Sequence, residues 1–211
     1  MKKIKEEELL KTPVFTVVKK TFDGTKFNPV GLNCHDWVMV IITDKPCWEA
    51  DAKAVLIKQT RWGLEDKTIE FPCGTVDDED FFAAALVKNE EEFKELWKRI
   101  SDDEKRDILA DGRMKAAARE LKEETGMDIV DIDLKHLITF NPNPAYFNNT
   151  MSIYRCVVPN LDELIAKKGE QNLDENEDCE VIYDRLLDHT SEISEHAMGI
   201  AALFAAGYHL D

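Results

Sequence analysis

The chain has 211 residues, enough for one domain with a full hydrophobic core. Hydrophobic residues make up 44% and charged residues 33%, the balance of a soluble globular chain rather than a disordered one. Lys and Arg number 27 against 43 Asp and Glu, a formal charge of −16, which excludes a broad positive surface for gripping nucleic acid or an anionic membrane.

In chain order, the opening Met-Lys-Lys-Ile-Lys-Glu-Glu-Glu-Leu-Leu is charged and has no apolar h-region, so it does not read as a signal peptide. A strand is predicted over 14–18, followed by a turn at Asp23-Gly24. Trp37-Val38-Met39-Val40-Ile41-Ile42 is a continuous apolar run, as expected of a strand buried on both faces. Further strands are predicted over 54–59 and 68–71, the second stopping at Pro72-Cys73-Gly74. Residues 81–110 change to helical period, with Phe93, Leu96, Trp97 and Ile100 on one stripe and Ser101 with Glu104 signalling a fresh helix start.

A separate helix is predicted over 113–125, stopped by Gly126. Strands over 134–140 and 151–158 flank the irregular Asn141-Pro142-Asn143-Pro144. A short helix over 161–168, an edge strand over 179–183 and a closing Ala-rich helix over 195–208 complete the chain. No apolar run reaches the ~20 residues that cross a bilayer. The five cysteines are scattered, with no C-x-x-C pair, which fits a reducing compartment; a soluble, cytoplasmic protein is expected. The economical reading is one mixed α and β domain over 1–211, with a strand-rich extension over 1–45 and a helical insertion over 81–110.

The informative stretch is Ala116-Ala117-Ala118-Arg119-Glu120-Leu121-Lys122-Glu123-Glu124-Thr125-Gly126-Met127. On a helix Glu120, Glu123 and Glu124 fall at i, i+3 and i+4, so their carboxylates share one face and repel. Arg119 is expected to point elsewhere and to offset only part of that repulsion. Hard oxygen donors in this arrangement suit Mg²⁺ or Mn²⁺. The plain alternative is a solvated charged face beside Lys115 and Lys122.

These residues resemble the signature of the Nudix hydrolases, G-x5-E-x7-R-E-U-x-E-E-x-G-U with U aliphatic: Arg119 to Met127 fill its second half without a mismatch. Gly74 resembles the signature's glycine. Its first Glu is replaced by Asp, at Asp80 counting from Gly74 or at Asp111 counting back from Arg119, with a loop insertion between. Leu56-Ile57-Lys58-Gln59-Thr60-Arg61 and Ile69-Glu70-Phe71-Pro72-Cys73-Gly74 are similar to the Q-Y-R and E-L-P-A-G patterns of the ADP-ribose pyrophosphatases and related nucleoside-diphosphate-sugar hydrolases, with Thr60 and Cys73 as departures. Pro142 and Pro144, and the acidic Leu173-Asp174-Glu175-Asn176-Glu177-Asp178, also fall where that subgroup has a proline and an acidic loop.

The resemblance implies an α+β fold, an α/β/α sandwich around a mixed sheet, and Mg²⁺-dependent (or Mn²⁺-dependent) cleavage of a diphosphate linkage in a small nucleotide substrate such as ADP-ribose. It implies metal ligation by Glu120, Glu123, Glu124, Glu177 and the Cys73 carbonyl. Glu175 would be the general base, with Glu177 as the alternative, and Arg119 a brace paired with Asp80 or Asp111. Substrate would meet Arg61, Glu70, Gly74 and Tyr146, the last stacking on a base ahead of Trp37, Trp48 and Trp62. For Arg61 a surface role at a strand end has equal standing. The 81–110 insertion reads as an outer decoration more readily than as a lid. A homodimer formed through the N-terminal extension is implied, with no nucleic acid or membrane partner. Alternatives are a nucleoside triphosphate, dinucleoside polyphosphate or coenzyme A as substrate, or a nucleotide-binding module without catalysis.

Overall fold

The computed structural model describes residues 2–12, 15–61, 63–128, 133–173, 175 and 177–208. Two sheets form. The N-terminal one joins β1 (Lys3–Lys11), β2 (Phe15–Phe22) and β3 (Val30–Cys34) in antiparallel order β1-β2-β3. This is the strand-rich extension expected over 1–45, with β1 and β3 beyond the one strand placed there at 14–18: the Lys- and Glu-rich Lys3–Lys11 is extended because Glu6 and Glu7 lie opposite Lys20 and Lys19 of β2, opposite-charge pairs that favour the ladder.

The second sheet contains β4 (Trp37–Thr43), β5 (Lys53–Arg61), β6 (Asp66–Glu70), β7 (Cys73–Thr75), β8 (Lys135–Phe140), β9 (Met151–Val157) and β10 (Glu180–Arg185). Its main path is β10-β5-β4-β9-β8, with β6 on β5 and β7 on β4. β4 and β9 run parallel and the other pairs antiparallel, so the sheet is mixed.

Side-chain alternation along β4 supplies two cores. Val38, Val40 and Ile42 face one layer with Val55, Ala116, Ala117, Leu121 and Leu161. Met39 and Ile41 face the other with Leu56, Phe71, Ile193, Ala202 and Leu203. The first layer is covered by α1 (Asp78–Ala84), α3 (Asp102–Thr125) and α4 (Leu161–Ala166). The second is covered by the turn Leu186–His189, α5 (Thr190–Ile193) and α6 (Ala197–Ala205). The α/β/α sandwich is therefore present.

The helices depart from the sequence reading at one place that matters. Instead of breaking before Arg113, α3 is continuous over 24 residues from Asp102. Ser101 and Glu104 close a reciprocal cap at its start, with Ser101 N–H donating to Glu104 at 2.8 Å and Glu104 N–H to Ser101 Oγ at 3.2 Å. Gly112 does not end the helix, because it is the contact point with α1: a Cβ there would stand 2.4 Å from Phe81 Cδ1. Arg113 fixes the middle of α3 through bonds of 2.7 and 3.1 Å to Asp36, which in turn accepts the Thr150 N–H at 2.7 Å. α2 (Glu90–Trp97) buries no residue and holds together with its neighbours through Phe82, Phe93 and Trp97 rings 5.2–5.4 Å apart. The start of the 14–18 strand, at Val14, lies outside the described residues.

The far end of α3 is closed by Gly126 in the left-handed conformation, φ 73°, with its N–H on Lys122 O at 2.8 Å. A Cβ at Gly126 would also meet Gly169 O at 2.3 Å. Gly126→Ala therefore combines backbone strain with a backbone clash, and is expected to cost about 2–4 kcal/mol, a fall in Tm of roughly 5–12 °C. A melt within about 2 °C of the parent would contradict this packing.

Candidate active site

β7 and the last two turns of α3 build the centre of the site. β7 lies antiparallel on β4, with Gly74 opposite Val38 and Cys73 opposite Met39. Its backbone thereby faces α3. Cys73 N–H donates to Glu124 Oε2 at 2.9 Å. Glu120 packs directly over Gly74, where a Cβ would come within 2.1 Å of its carboxylate, so any larger residue would have to push that carboxylate aside.

Arg119 does not point elsewhere, as its sequence position suggested; it runs into the acids. Nη1 donates to Glu120 Oε1 at 2.9 Å and to Glu123 Oε2 at 2.8 Å. Nη2 donates to the Thr75 carbonyl at 2.8 Å and Asp80 Oδ2 at 2.9 Å, and lies 3.2 Å from Asp77 Oδ2. Nε reaches Asp80 Oδ1 at 3.3 Å. One guanidinium thus serves four carboxylates. Burial alone would lower its pKa, but Asp80 and the surrounding acids outweigh that and raise it, keeping the charge fixed.

Of the two candidate aspartates, Asp80 is the one beneath Arg119, 7% exposed, whereas Asp111 is exposed on α3. Asp80 also accepts the Asp77 N–H at 3.0 Å at the start of α1. The sequence reading missed Asp77 and the Thr75 carbonyl; no pattern signals a carbonyl as a guanidinium acceptor.

The charge balance stays negative, and the buried acids respond. Burial, reinforced by Glu123 and Asp77 against the pull of Arg119, pushes the Glu120 carboxyl up to about 7. Glu124 is 5% exposed, and burial with the nearby Glu120 and Glu177 charges pushes it up to about 9 despite the Cys73 N–H and Arg61.

The acidic segment between α4 and β10 is drawn onto the same place. Asn172 N–H donates to Glu123 O at 2.9 Å, and the Gln171 amide donates to the Glu124 and Cys179 carbonyls, the latter at 3.0 Å. Asp178 accepts from Thr60 N–H at 2.8 Å and Thr60 Oγ1 at 2.9 Å. Glu175 and Glu177 are both exposed on this segment, and Glu177 acts electrostatically on Glu124. Asp174 and Asn176 lie outside the described residues, as does Trp62.

Arg61 and Glu70 meet each other. The guanidinium forks onto the carboxylate at 2.7 and 2.6 Å, and Thr68 Oγ1 donates to the same carboxylate. Burial would raise Glu70, but the Arg61 fork outweighs it and holds the carboxyl below its usual range. Cys73 Sγ lies 3.4 Å from Arg61, and burial beside Glu124 raises the thiol well above its usual value, unsuited to nucleophilic work. Tyr146 is 61% exposed, and its described contacts are backbone ones, its carbonyl accepting the Leu32 N–H at 2.7 Å. Trp37 packs edge-on against Phe147 at 5.9 Å, and Trp48 lies beneath Arg155 at 5.8 Å, so both have structural contacts.

Comparison with known proteins gives one kind of likeness. No protein-family profile matches this chain, and no curated protein sequence does. A solved structure described as an ADP compounds hydrolase superposes over 98% of this chain and 91% of its own, with a TM-score of 0.56 and 21% identity. The shared feature is the fold. It is the Nudix-like α+β arrangement expected from the sequence.

Within that fold the donor chemistry at Glu120, Glu123 and Glu124 fits a hard divalent cation: oxygen donors only, Glu124 buried and the other two half-buried, short of positive charge and backed by a glycine. Among the described residues no three His, Cys, Asp or Glu side chains yet converge as an ion-binding group. Arg119 Nη1 stands between Glu120 and Glu123 in this arrangement.

The raised carboxyls set a pH dependence. An ordinary Glu titrates near 4.5 in the unfolded chain, so the Glu124 contribution to stability is complete below that pH and is lost as pH rises toward about 9. Glu124→Gln keeps an acceptor for Cys73 N–H and removes the titration. In EDTA it should be more stable than the parent at pH 8 by about 2–4 kcal/mol and no more stable at pH 4. Melting curves at the two pH values measure the difference, and an equal offset at both would show that Glu124 is not held protonated.

Proposed function

We propose that this chain hydrolyses the diphosphate linkage of a nucleoside diphosphate joined to another moiety, with ADP-ribose or an ADP-sugar as substrate and AMP plus a sugar phosphate as products. Mg²⁺ or Mn²⁺ is its cofactor. One observation carries the reading: four carboxylates crowded on the Arg119 guanidinium, one of them, Glu120, lying over Gly74, in a fold shared with an ADP compounds hydrolase. Such crowding weakens a fold unless something cationic joins it, and a diphosphate brings its own need for positive charge.

Glu120, Glu123, Glu124 and Glu177, with the Cys73 carbonyl, are the oxygens that would hold the ion. When bound, a divalent ion neutralises the diphosphate and acidifies the attacking water. Glu175 takes the proton of that water, with Glu177 as its alternative on the same segment. Gly74 leaves the main chain open to close approach. Arg119 braces the acids from α1 and does not touch substrate. The Arg61–Glu70 pair walls the substrate pocket, and Tyr146 offers a ring for the adenine. The reading includes a cytoplasmic homodimer formed through the N-terminal sheet; β1 ends that sheet with every residue exposed, an edge open to pairing.

Incubating the protein with ADP-ribose and Mg²⁺ should yield AMP and ribose 5-phosphate. EDTA should abolish the reaction, and Glu124→Gln should lower kcat by roughly 10²–10³-fold. Binding of ADP-ribose without turnover would favour a nucleotide-binding module, and full activity of Glu124→Gln would remove the metal-site assignment.

A further inference from the structure

β10 and β5 pair in a register that places Glu180 opposite Lys58 and Val181 opposite Ile57. Continued by two residues, that register would set Asp178 opposite Thr60, with Cys179 opposite Gln59. The ladder does not continue through the backbone. Cys179 meets Gln59 through its thiol, 3.6 Å from Oε1. At the next pair the Thr60 N–H, which a strand carbonyl would otherwise accept, donates instead to the Asp178 carboxylate at 2.8 Å. Thr60 Oγ1 donates to the second carboxylate oxygen at 2.9 Å, and Lys67 Nζ of β6 approaches that oxygen at 2.9 Å. These three donors, the Thr60 N–H foremost, hold the Asp178 carboxyl down at about 2.

The consequence is geometric. A side chain replaces a backbone rung, so Asp178 is held to β5 by its carboxylate and not by its main chain. At the other end, Asn172 N–H on Glu123 O at 2.9 Å and Gly169 N–H on Gly126 O at 2.7 Å fix the segment to the end of α3. Gln171 bridges the two ends, bonding the Glu124 and Cys179 carbonyls. Glu175 and Glu177 therefore lie on a short span pinned on both sides, one pin on the acidic helix and the other on the β5–β6 hairpin.

We propose that Asp178, seated on Thr60 and Lys67, is a positioning residue that sets where Glu175 and Glu177 stand relative to Glu120 and Glu124. The inference rests on the hydrolysis reading, in which this segment supplies the proton acceptor. It also assigns a role to Thr60: beside the strand N–H, which any residue but proline would supply, its Oγ1 adds the second donor of the seat at a position the phenol of a tyrosine would not occupy. Lys67 and Asp178 have exposed side chains, so their pairing adds little to global stability. Its effect falls on the placement of the segment, where an error of an ångström is felt in rate.

The test compares Thr60→Val, Thr60→Ser and Lys67→Met in the full chain with Mg²⁺ and ADP-ribose, together with amide hydrogen exchange over 173–177. Thr60→Val is expected to lower kcat about 10- to 100-fold with KM changed less than about threefold, and to speed exchange over that span. Its Tm should stay within about 2 °C of the parent. Thr60→Ser, which keeps the hydroxyl, should restore both rate and protection, and Lys67→Met should fall between. An active parent with an unaffected Thr60→Val overturns the positioning role alone, as does a loss that Ser does not restore. A parent that turns over no nucleoside diphosphate overturns the hydrolysis reading and this role with it, while unchanged exchange in Thr60→Val shows that the seat does not hold the span.

Discussion

The site depends on a shortage of positive charge. Among the described residues Arg119 is the one cation paired with Asp77, Asp80, Glu120 and Glu123, with Glu124 buried alongside and turned to the Cys73 N–H. A guanidinium has five N–H donors in a fixed plane, and here they are divided among three elements: α1 and the end of β7 on one side, the acids of its own helix α3 on the other. That division orients the carboxylates without neutralising them. Glu120 and Glu124 answer with raised proton affinity: burial disfavours the charged forms by more than Arg119 at Glu120, or the Cys73 N–H at Glu124, restores.

The surrounding fold keeps this arrangement stiff. α3 is locked at three heights: by Phe81 against Gly112, by Asp36 on Arg113, and by Gly169 against Gly126. Between them Ala116, Ala117 and Leu121 are fully buried against the sheet, so the helix cannot rotate its acids away without exposing core. The helices of the 81–110 region are thereby tied to the site. α1, at its head, supplies Asp77 and Asp80 as the outer acceptors of Arg119, and the long helix that ends it runs on without interruption into the acidic turns. The last part of the 81–110 segment, from Asp102 on, is in space the beginning of the helix that carries Glu120, Glu123 and Glu124.

The legible parts of the sequence were those governed by local period. The β4 run and the strand around Leu56 declared themselves because both faces are buried, and Gly126 ended α3 where a left-handed residue was needed. The parts that escaped were set by distant partners. Lys3–Lys11 has the composition of a helix and becomes a strand because β2 presents matching charges. Gly112 looks like a breaker, yet stays helical because its missing side chain lets Phe81 in; the propensity cost of about 1 kcal/mol is outweighed by close packing. The crowding of Glu120, Glu123 and Glu124 was readable from spacing. For Arg119 the sequence left Asp80 and Asp111 as alternative partners, and the choice of Asp80, with the Thr75 carbonyl beside it, was set by β7 and α1, about forty residues away in sequence.

The raised acids also explain how stability and activity pull against each other in the proposed reaction. A Gln at 124 relieves repulsion and removes a titration, and so favours the fold, but it takes away an anionic donor that a divalent ion needs. The same logic extends outward. At −16 the chain repels an anionic diphosphate at long range, and at physiological salt that field is screened beyond about 8 Å. In the proposed reaction discrimination would therefore come at close quarters, from cation and substrate arriving where the carboxylates already stand. A site that starts with too few positive charges is selective for ligands that bring them, and a diphosphate chelating a divalent ion is such a ligand.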